Sequence, residues 1–197
     1  LNRHREIEAI ILAAGKGERM GTIKPLVGID GQPALERVIE TLDLASVDRV
    51  IVVLGYKAKE ITEMVDLSNC ERAINLNYER GMGTSLALGV KMVSKTSLGF
   101  LVCHADMPYI EQQTVRKVLD VARKGARIAA PIYRGTRGFP VYLSVDCVSD
   151  LLKTLKGDSG ARNYILEHVS DVELVEVNDP GAVIDVDQPQ DVIGYQL

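Results

Sequence analysis

The segment Leu12-Ala13-Ala14-Gly15-Lys16-Gly17-Glu18-Arg19-Met20-Gly21-Thr22-Ile23-Lys24-Pro25-Leu26 concentrates residue types that hold anions. Gly15, Gly17 and Gly21 fall within seven positions, so the backbone can turn tightly and aim several N–H groups at one point. Arg19 and Lys24 add two cations to the same stretch. That combination suits a polyphosphate better than a single phosphate. Two familiar phosphate loops fail on spacing. A dinucleotide fingerprint needs GxGxxG, and the third glycine here comes one residue late; a Walker A loop needs Ser or Thr after its lysine, and Lys16 is followed by Gly17. The plain alternative is a flexible loop that joins a strand to a helix. A carboxylate stands at Asp106, where the apolar run Gly99 to Ala105 ends before Met107-Pro108. There it can bridge a metal ion and a phosphate, or cap a turn. Asp185 and Asp187 are further acidic candidates, as metal ligands, loop acids or a helix cap near Pro189.

The elements that must position these groups alternate along the chain. Apolar, β-branched runs at Ile7 to Leu12, Val50 to Leu54, Ala73 to Leu76 and Gly99 to Ala105 read as strands, the first covered on both faces despite Glu8. Amphipathic stretches at Pro33 to Leu44, Lys57 to Val65, Thr84 or Ser85 to Ser94 and Glu111 to Lys124 read as helices. Pro33 suits a first helical position, and Thr84 or Ser85 a helix cap. Two strands, Arg127 to Pro131 and Phe139 to Leu143, flank a segment rich in glycine and arginine. Helices at Asp146 to Leu155 and Ala161 to His168, a strand at Val172 to Val177 and a turn or helix after Pro189 complete the pattern. The expected fold is α/β: a single three-layer domain over residues 1–197 with a mostly parallel, Rossmann-like sheet. Ligands of such sheets bind beyond the carboxyl ends of the strands, which is where the glycine-rich loop and Asp106 fall. His104, on a buried strand before the carboxylate, is expected to alternate away from that site.

Composition narrows the partners. The 197 residues carry a formal net charge of −4, with 46% hydrophobic and 25% charged residues. The acidic balance speaks against nucleic acid or a membrane surface as partner, and no apolar run reaches the roughly 20 residues of a span. Cys70, Cys103 and Cys147 form no CxxC pair and read as reduced thiols of a cytoplasmic protein.

LAAGKGERMGTIKPL resembles the LAAGxGxRMGxxKxL loop of the MobA-like NTP transferases, the nucleotidyltransferases that activate molybdenum cofactor. Asn75 to Ser85 (NLNYERGMGTS) is similar to that family's Nxx[WY]xxGMxxS segment, and Ala105 to Ile110 (ADMPYI) to its ADMPxV/I turn. GTRGFPVYL at Gly135 to Leu143 resembles GxRGHPVxF, GDSGAR at Gly157 to Arg162 resembles GDxGAR, and IDVDQPQDV at Ile184 to Val192 resembles DxDTPxDL. The matches fall in family order along almost the whole chain. The chain departs at Phe139, where the motif has histidine, and at Gln188, where it has threonine.

The resemblance implies a nucleotide-diphospho-sugar-transferase (GT-A-like) fold and a nucleotidyl transfer that needs Mg²⁺, with Mn²⁺ as the alternative. It puts Arg19, Lys24 and Asp106 in catalysis. It places Leu12, Ala13, Ala14, Gly15 and Gly17 on the nucleotide, together with Arg19, Lys24, Asn75, Gly81, Ser85 and Asp106. The acceptor falls to Arg137, Gly138, Pro140, Asp158 and Arg162, and the metal to Asp106 and Asp187. On residue type alone, Asn75 also suits local backbone bonding, and Arg137 and Arg162 suit solvent. LAAG rather than LAGG points to the cytidylyl branch, so CTP and molybdopterin are the expected substrates and an apo-molybdoenzyme or its chaperone the recipient. The alternatives are a guanylyl- or sugar-phosphate nucleotidyltransferase, or a non-catalytic nucleotide- or cofactor-binding carrier.

Overall fold

The apolar run near the start of the chain becomes the middle of the sheet. In this computed structural model, which describes residues 5–17, 23–187 and 191, β1 (Ile7–Ala13) is buried along its whole length. Side chains of a strand alternate between faces. Ile7, Ala9, Ile11 and Ala13 accordingly enter one apolar cluster, and Ile10 and Leu12 the other.

A two-residue hairpin, β2 (Gly28–Ile29) and β3 (Gln32–Pro33), precedes α1 (Ala34–Leu44). The chain continues through β4 (Arg49–Leu54), α2 (Ala58–Met64), β5 (Glu71–Ile74), α3 (Met82–Met92), β6 (Gly99–His104) and α4 (Gln112–Arg123). It then forms β7 (Ile128–Tyr133), β8 (Thr136–Arg137), β9 (Val141–Ser144), α5 (Val148–Thr154), α6 (Arg162–Glu167) and β10 (Val172–Glu176). The sheet order is β10-β7-β9-β6-β1-β4-β5, with β8 paired to β7. β1 runs parallel to β4 and β6, β4 to β5, and β7 to β10; β9 is antiparallel to both β6 and β7, as β8 is to β7. The sheet is therefore mixed and mostly parallel. Leu35 and Val38 of α1, Ile61 of α2 and Val118 and Leu119 of α4 cover one face. Leu86 and Val90 of α3, Leu151 of α5 and Tyr164 and Ile165 of α6 cover the other. Three layers result.

Local departures from the sequence reading have tertiary causes. Pro33 stands before α1 rather than in it, because it pairs with Gly28 in the hairpin. The Asp146 to Leu155 helix is divided: Val145–Cys147 form a 3-10 turn before α5 begins. The element expected after Pro189 lies outside the described residues.

At the amino ends of the strands, Glu8 is fully buried and pairs with Arg49. Its carboxylate also accepts the backbone N–H of Ser94 at 2.9 Å. Arg49 donates in addition to Glu71 (2.8 and 2.5 Å) and to the Met92 carbonyl at 3.1 Å. One guanidinium thus joins β1, β4, β5 and the end of α3.

Candidate functional site

At the opposite, carboxyl ends of the strands a cavity of about 540 Å³ opens. Its walls come from four places: the glycine-rich segment after β1 with Lys24-Pro25, the Tyr78 to Ser85 stretch before and in α3, His104 to Asp106 at the end of β6, and Asp158. The pairing with β1 continues past the end of β6, Ala105 N–H to Leu12 O at 3.2 Å, so the first loop and Asp106 are delivered side by side. Lys24 opens a 3-10 turn (Lys24–Leu26) whose neighbours Ile23 and Leu26 pack on the core, which aims its side chain into the cavity.

Lys24 Nζ donates to Asp106 Oδ2 at 2.9 Å and to Asp187 Oδ1, and all three side chains are about four-fifths buried (18, 21 and 20% exposed). Asp185 completes the group: one carboxylate oxygen each from Asp106, Asp185 and Asp187 lies within 4.8 Å of the others. Burial pulls the Lys24 pKa down, but the hydrogen bonds and charges of Asp187 and Asp106 outweigh it and raise the pKa, so the ammonium stays charged. Three clustered carboxylates, two of them bonded to one ammonium, leave a surplus of negative charge, and hard oxygen donors of this kind suit Mg²⁺ or Mn²⁺.

The acids reach Asp106 because the chain after β10 is laced onto it. Val186 N–H donates to Asp106 O at 2.7 Å, and Phe139 N–H to Ala182 O at 2.8 Å. Asp179, almost fully buried, accepts from Glu111 N–H (2.9 Å), Thr114 Oγ1 (2.6 Å) and Gly181 N–H (2.9 Å). It thereby ties the start of α4 to a distant part of the chain.

Leu12, Ala13, Ala14, Gly15, Gly17, Lys24, Gly81, Ser85 and Asp106 all line the cavity, as does Asp158. Arg19 lies outside the described residues. Asn75 is not among the lining residues; it is buried, donating to Thr84 Oγ1 (2.8 Å) and Ser85 Oγ (2.9 Å) and accepting from Asn77 N–H (2.9 Å). It shapes the wall rather than facing the space. Neither Thr84 nor Ser85 caps α3, which begins at Met82 after Gly81. Gly81 has φ 105°, and any side chain there would collide with the backbone of Gly157, so only glycine lets the two loops meet. Asp158 Oδ1 accepts from Met82 N–H at 3.3 Å across that contact.

Arg137, Gly138 and Arg162 line a second, mostly apolar cavity of about 200 Å³ next to the first. Gly138 also passes so close to the Ala182 backbone that a Cβ would clash. Pro140 lies apart, against Val38 and Val115 on the other face. His104 overturns the expectation that it points away. It is two residues from Asp106 and shares the face of Phe100 and Val102, because period 2 returns the same direction every second residue. It lines both cavities, and its ring meets Phe139 edge-on with centroids 4.4 Å apart. Burial draws its pKa below the usual histidine range, against the opposing pull of Asp106 and Asp185. The sequence reading also passed over Lys16, Tyr78, Glu79 and Met82, all on the larger cavity's wall. Lys16 Nζ reaches Glu79 Oε1 at 2.7 Å across its mouth. Tyr78 and Met82 stand at the aromatic and methionine positions of their motif and Lys16 in the glycine-rich loop; Glu79 carries no signal of its own.

The family model described as "MobA-like NTP transferase domain" matches residues 9–172. Nicotine blue oxidoreductase of Paenarthrobacter nicotinovorans is 28% identical over 189 residues, covering 92% of each chain. A probable molybdenum cofactor guanylyltransferase of Methanosarcina acetivorans is 28% identical over 184 residues, covering 90% of this chain and 81% of that one. Of solved structures, Rv0371c from Mycobacterium tuberculosis H37Rv superposes with a TM-score of 0.87 at 25% identity over 96% of both chains. A complex of that protein with manganese gives 0.82 at 23% identity, over 96% and 97%. Among the described residues, no helix is long and apolar enough to cross a membrane.

Proposed function

Because this chain belongs to the MobA-like NTP transferase family, we propose that it joins CMP from CTP to the terminal phosphate of molybdopterin and releases pyrophosphate. The observation that carries this reading is Lys24, held between Asp106 and Asp187 on the wall of a cavity edged by the glycine-rich loop. Such a site holds a triphosphate and fixes an in-line geometry without needing a covalent nucleophile. Arg19 and Lys24 take the phosphates, and backbone groups of Ala13, Ala14 and Gly15 lie beside base or triphosphate. Asp106, with Asp187 and Asp185, holds Mg²⁺ or Mn²⁺; the clustered carboxylate oxygens fit such an ion. When bound, the ion neutralises charge on the transferring phosphoryl group. The acceptor side falls to the second cavity with Arg137, Gly138 and Arg162, while the placements of Asp158 on the first cavity and Pro140 on the far face favour supporting roles there. Residues 1–197 are read as one nucleotidyltransferase domain. The three free thiols suit the reducing cytoplasm, from which the product would pass to an apo-molybdoenzyme or its chaperone.

The test is pyrophosphate release with molybdopterin and either CTP or GTP. Ala14 is nearly buried on the cavity wall, its carbonyl accepting Tyr56 N–H at 3.1 Å. Its methyl group leaves room for a pyrimidine and crowds a purine. CTP is expected to win by roughly tenfold to two-hundredfold in kcat/KM, the range of about 1–3 kcal/mol for a small steric difference. Ala14→Gly is expected to raise GTP use while CTP use persists. A wild-type preference for GTP moves the assignment to the guanylyl branch. Nucleotide binding with no pyrophosphate release from either nucleotide leaves the carrier reading.

Lys24→Ala is expected to weaken CTP binding by roughly ten- to hundredfold, the loss of a charge-assisted hydrogen bond of about 1.5–3 kcal/mol. Cytidine binding should stay near wild type, as the nucleoside carries no phosphate. Calorimetry with both ligands decides it; an equal loss for both means the lysine supports the loop instead.

A further inference from the structure

The two cavities share three side chains, Leu12, Met82 and His104. Of these only His104 offers a strong hydrogen-bonding group. The smaller cavity is otherwise walled by apolar groups such as Leu86, Val102, Val141 and Ile165, with the exposed Arg137 and Arg162 at its edge. A substrate body resting there must send its reactive end past His104 to reach the larger cavity. Phe139 holds the imidazole from one side, at 80° to its plane.

We propose that the smaller cavity receives the body of the acceptor, and that His104 hydrogen-bonds the acceptor's phosphate at the junction and aims it at the α-phosphorus of the nucleotide. This assignment rests on the nucleotidyl-transfer reading above. A bond forms between an acceptor phosphate oxygen and the α-phosphorus as the bond to the β-phosphate oxygen breaks. The electron pair leaves on pyrophosphate. The attacking oxygen of a phosphate monoester is already ionised near neutral pH, so no proton is removed and the imidazole acts as an orienting donor. The same geometry accounts for Phe139. Where the similar motif GxRGHPV has histidine, this chain has phenylalanine, and the ring it touches is an imidazole. An imidazole on β6 thus stands beside the position before Pro140 at which that motif has its own.

Histidine-to-phenylalanine replacement (H104F) removes both ring nitrogens while leaving a ring to pack on Phe139. With CTP and molybdopterin, KM for molybdopterin is expected to rise about tenfold or more, the loss of one hydrogen bond to a charged group. The calorimetric affinity for CTP should stay within about twofold of wild type. F139H in the H104F background should recover part of the loss by returning an imidazole across the contact. Unchanged acceptor KM and kcat in a folded H104F overturn the proposal.

A second measurement needs neither turnover nor a variant. With three histidines in the chain, the wild-type imidazole resonances can be followed by NMR as inorganic phosphate is added to the CTP complex. A saturable shift of His104 with His168 unmoved supports the proposal; an unmoved His104 overturns it. If His104 shifts but molybdopterin gives no pyrophosphate, the junction assignment stands and only the acceptor named under the proposed function falls.

Discussion

Asp106→Ala is expected to lower turnover by about a thousandfold and to leave the fold intact. A bound divalent ion that stabilises charge in the transition state is worth several kcal/mol, and each 1.36 kcal/mol is about a tenfold change in rate. The fold survives because Asp106 serves the structure through its backbone: its carbonyl takes Val186 N–H at 2.7 Å, a bond that alanine keeps. Lys24 retains Asp187 as partner, so no ammonium is stranded. Steady-state pyrophosphate release, read beside circular dichroism and melting temperature, measures both halves of this expectation. Near-wild-type turnover in the folded variant would falsify the metal role of Asp106.

Arg49→Met is expected to cost about 3–5 kcal/mol of stability, the range for breaking a buried ion pair by deleting one member. For a chain of this size that lowers the melting temperature by roughly 10 °C. The reason lies in the asymmetry of the pair. Glu8 is fully buried, and without Arg49 its carboxylate keeps only Ser94 N–H among the partners described above. In the converse variant, Glu8→Gln, Arg49 still has Glu71 and the Met92 carbonyl. That change should cost clearly less. Replacing both Glu8 and Arg49 by methionine removes the stranded charge and should recover much of the loss, as apolar groups of similar volume do in such places. Urea titrations of the four proteins test the set. A double variant no more stable than Arg49→Met would assign the loss to packing rather than to charge.

Much of this was legible before any coordinates. The central strand announced itself as an apolar run, because a parallel strand covered on both faces needs no polar alternation. The loop after it and Asp106 stood out by residue type, and the topology of α/β sheets put them at one end. What the chain could not announce are contacts between distant segments. The start of α3 was misplaced because Gly81 answers to Gly157, not to its neighbours. Asp185 and Asp187 are open in the sequence because long-range contacts, Val186 N–H to Asp106 O and Lys24 to Asp187, bring them beside Asp106. His104 of β6 lies two residues before Asp106, and the period of two turns both to the site. Asn75 suits either a ligand or local bonding by residue type, and its amide is engaged by Thr84 and Ser85 of α3 and by Asn77.

Glu71 has a second consequence. It belongs to β5, the last strand on one side of the sheet, while β10 closes the other side. The outer backbone of such strands is a template on which another chain can pair and aggregate. β5 has only four residues, with Glu71 and Arg72 exposed, and β10 carries exposed Glu173 and Glu176 among its five. Short borders whose charges stand beside the exposed Ile74 and Leu174 are of the kind that disfavours pairing between copies. The carboxylate that steadies Arg49 thus also places a charge on the sheet's border.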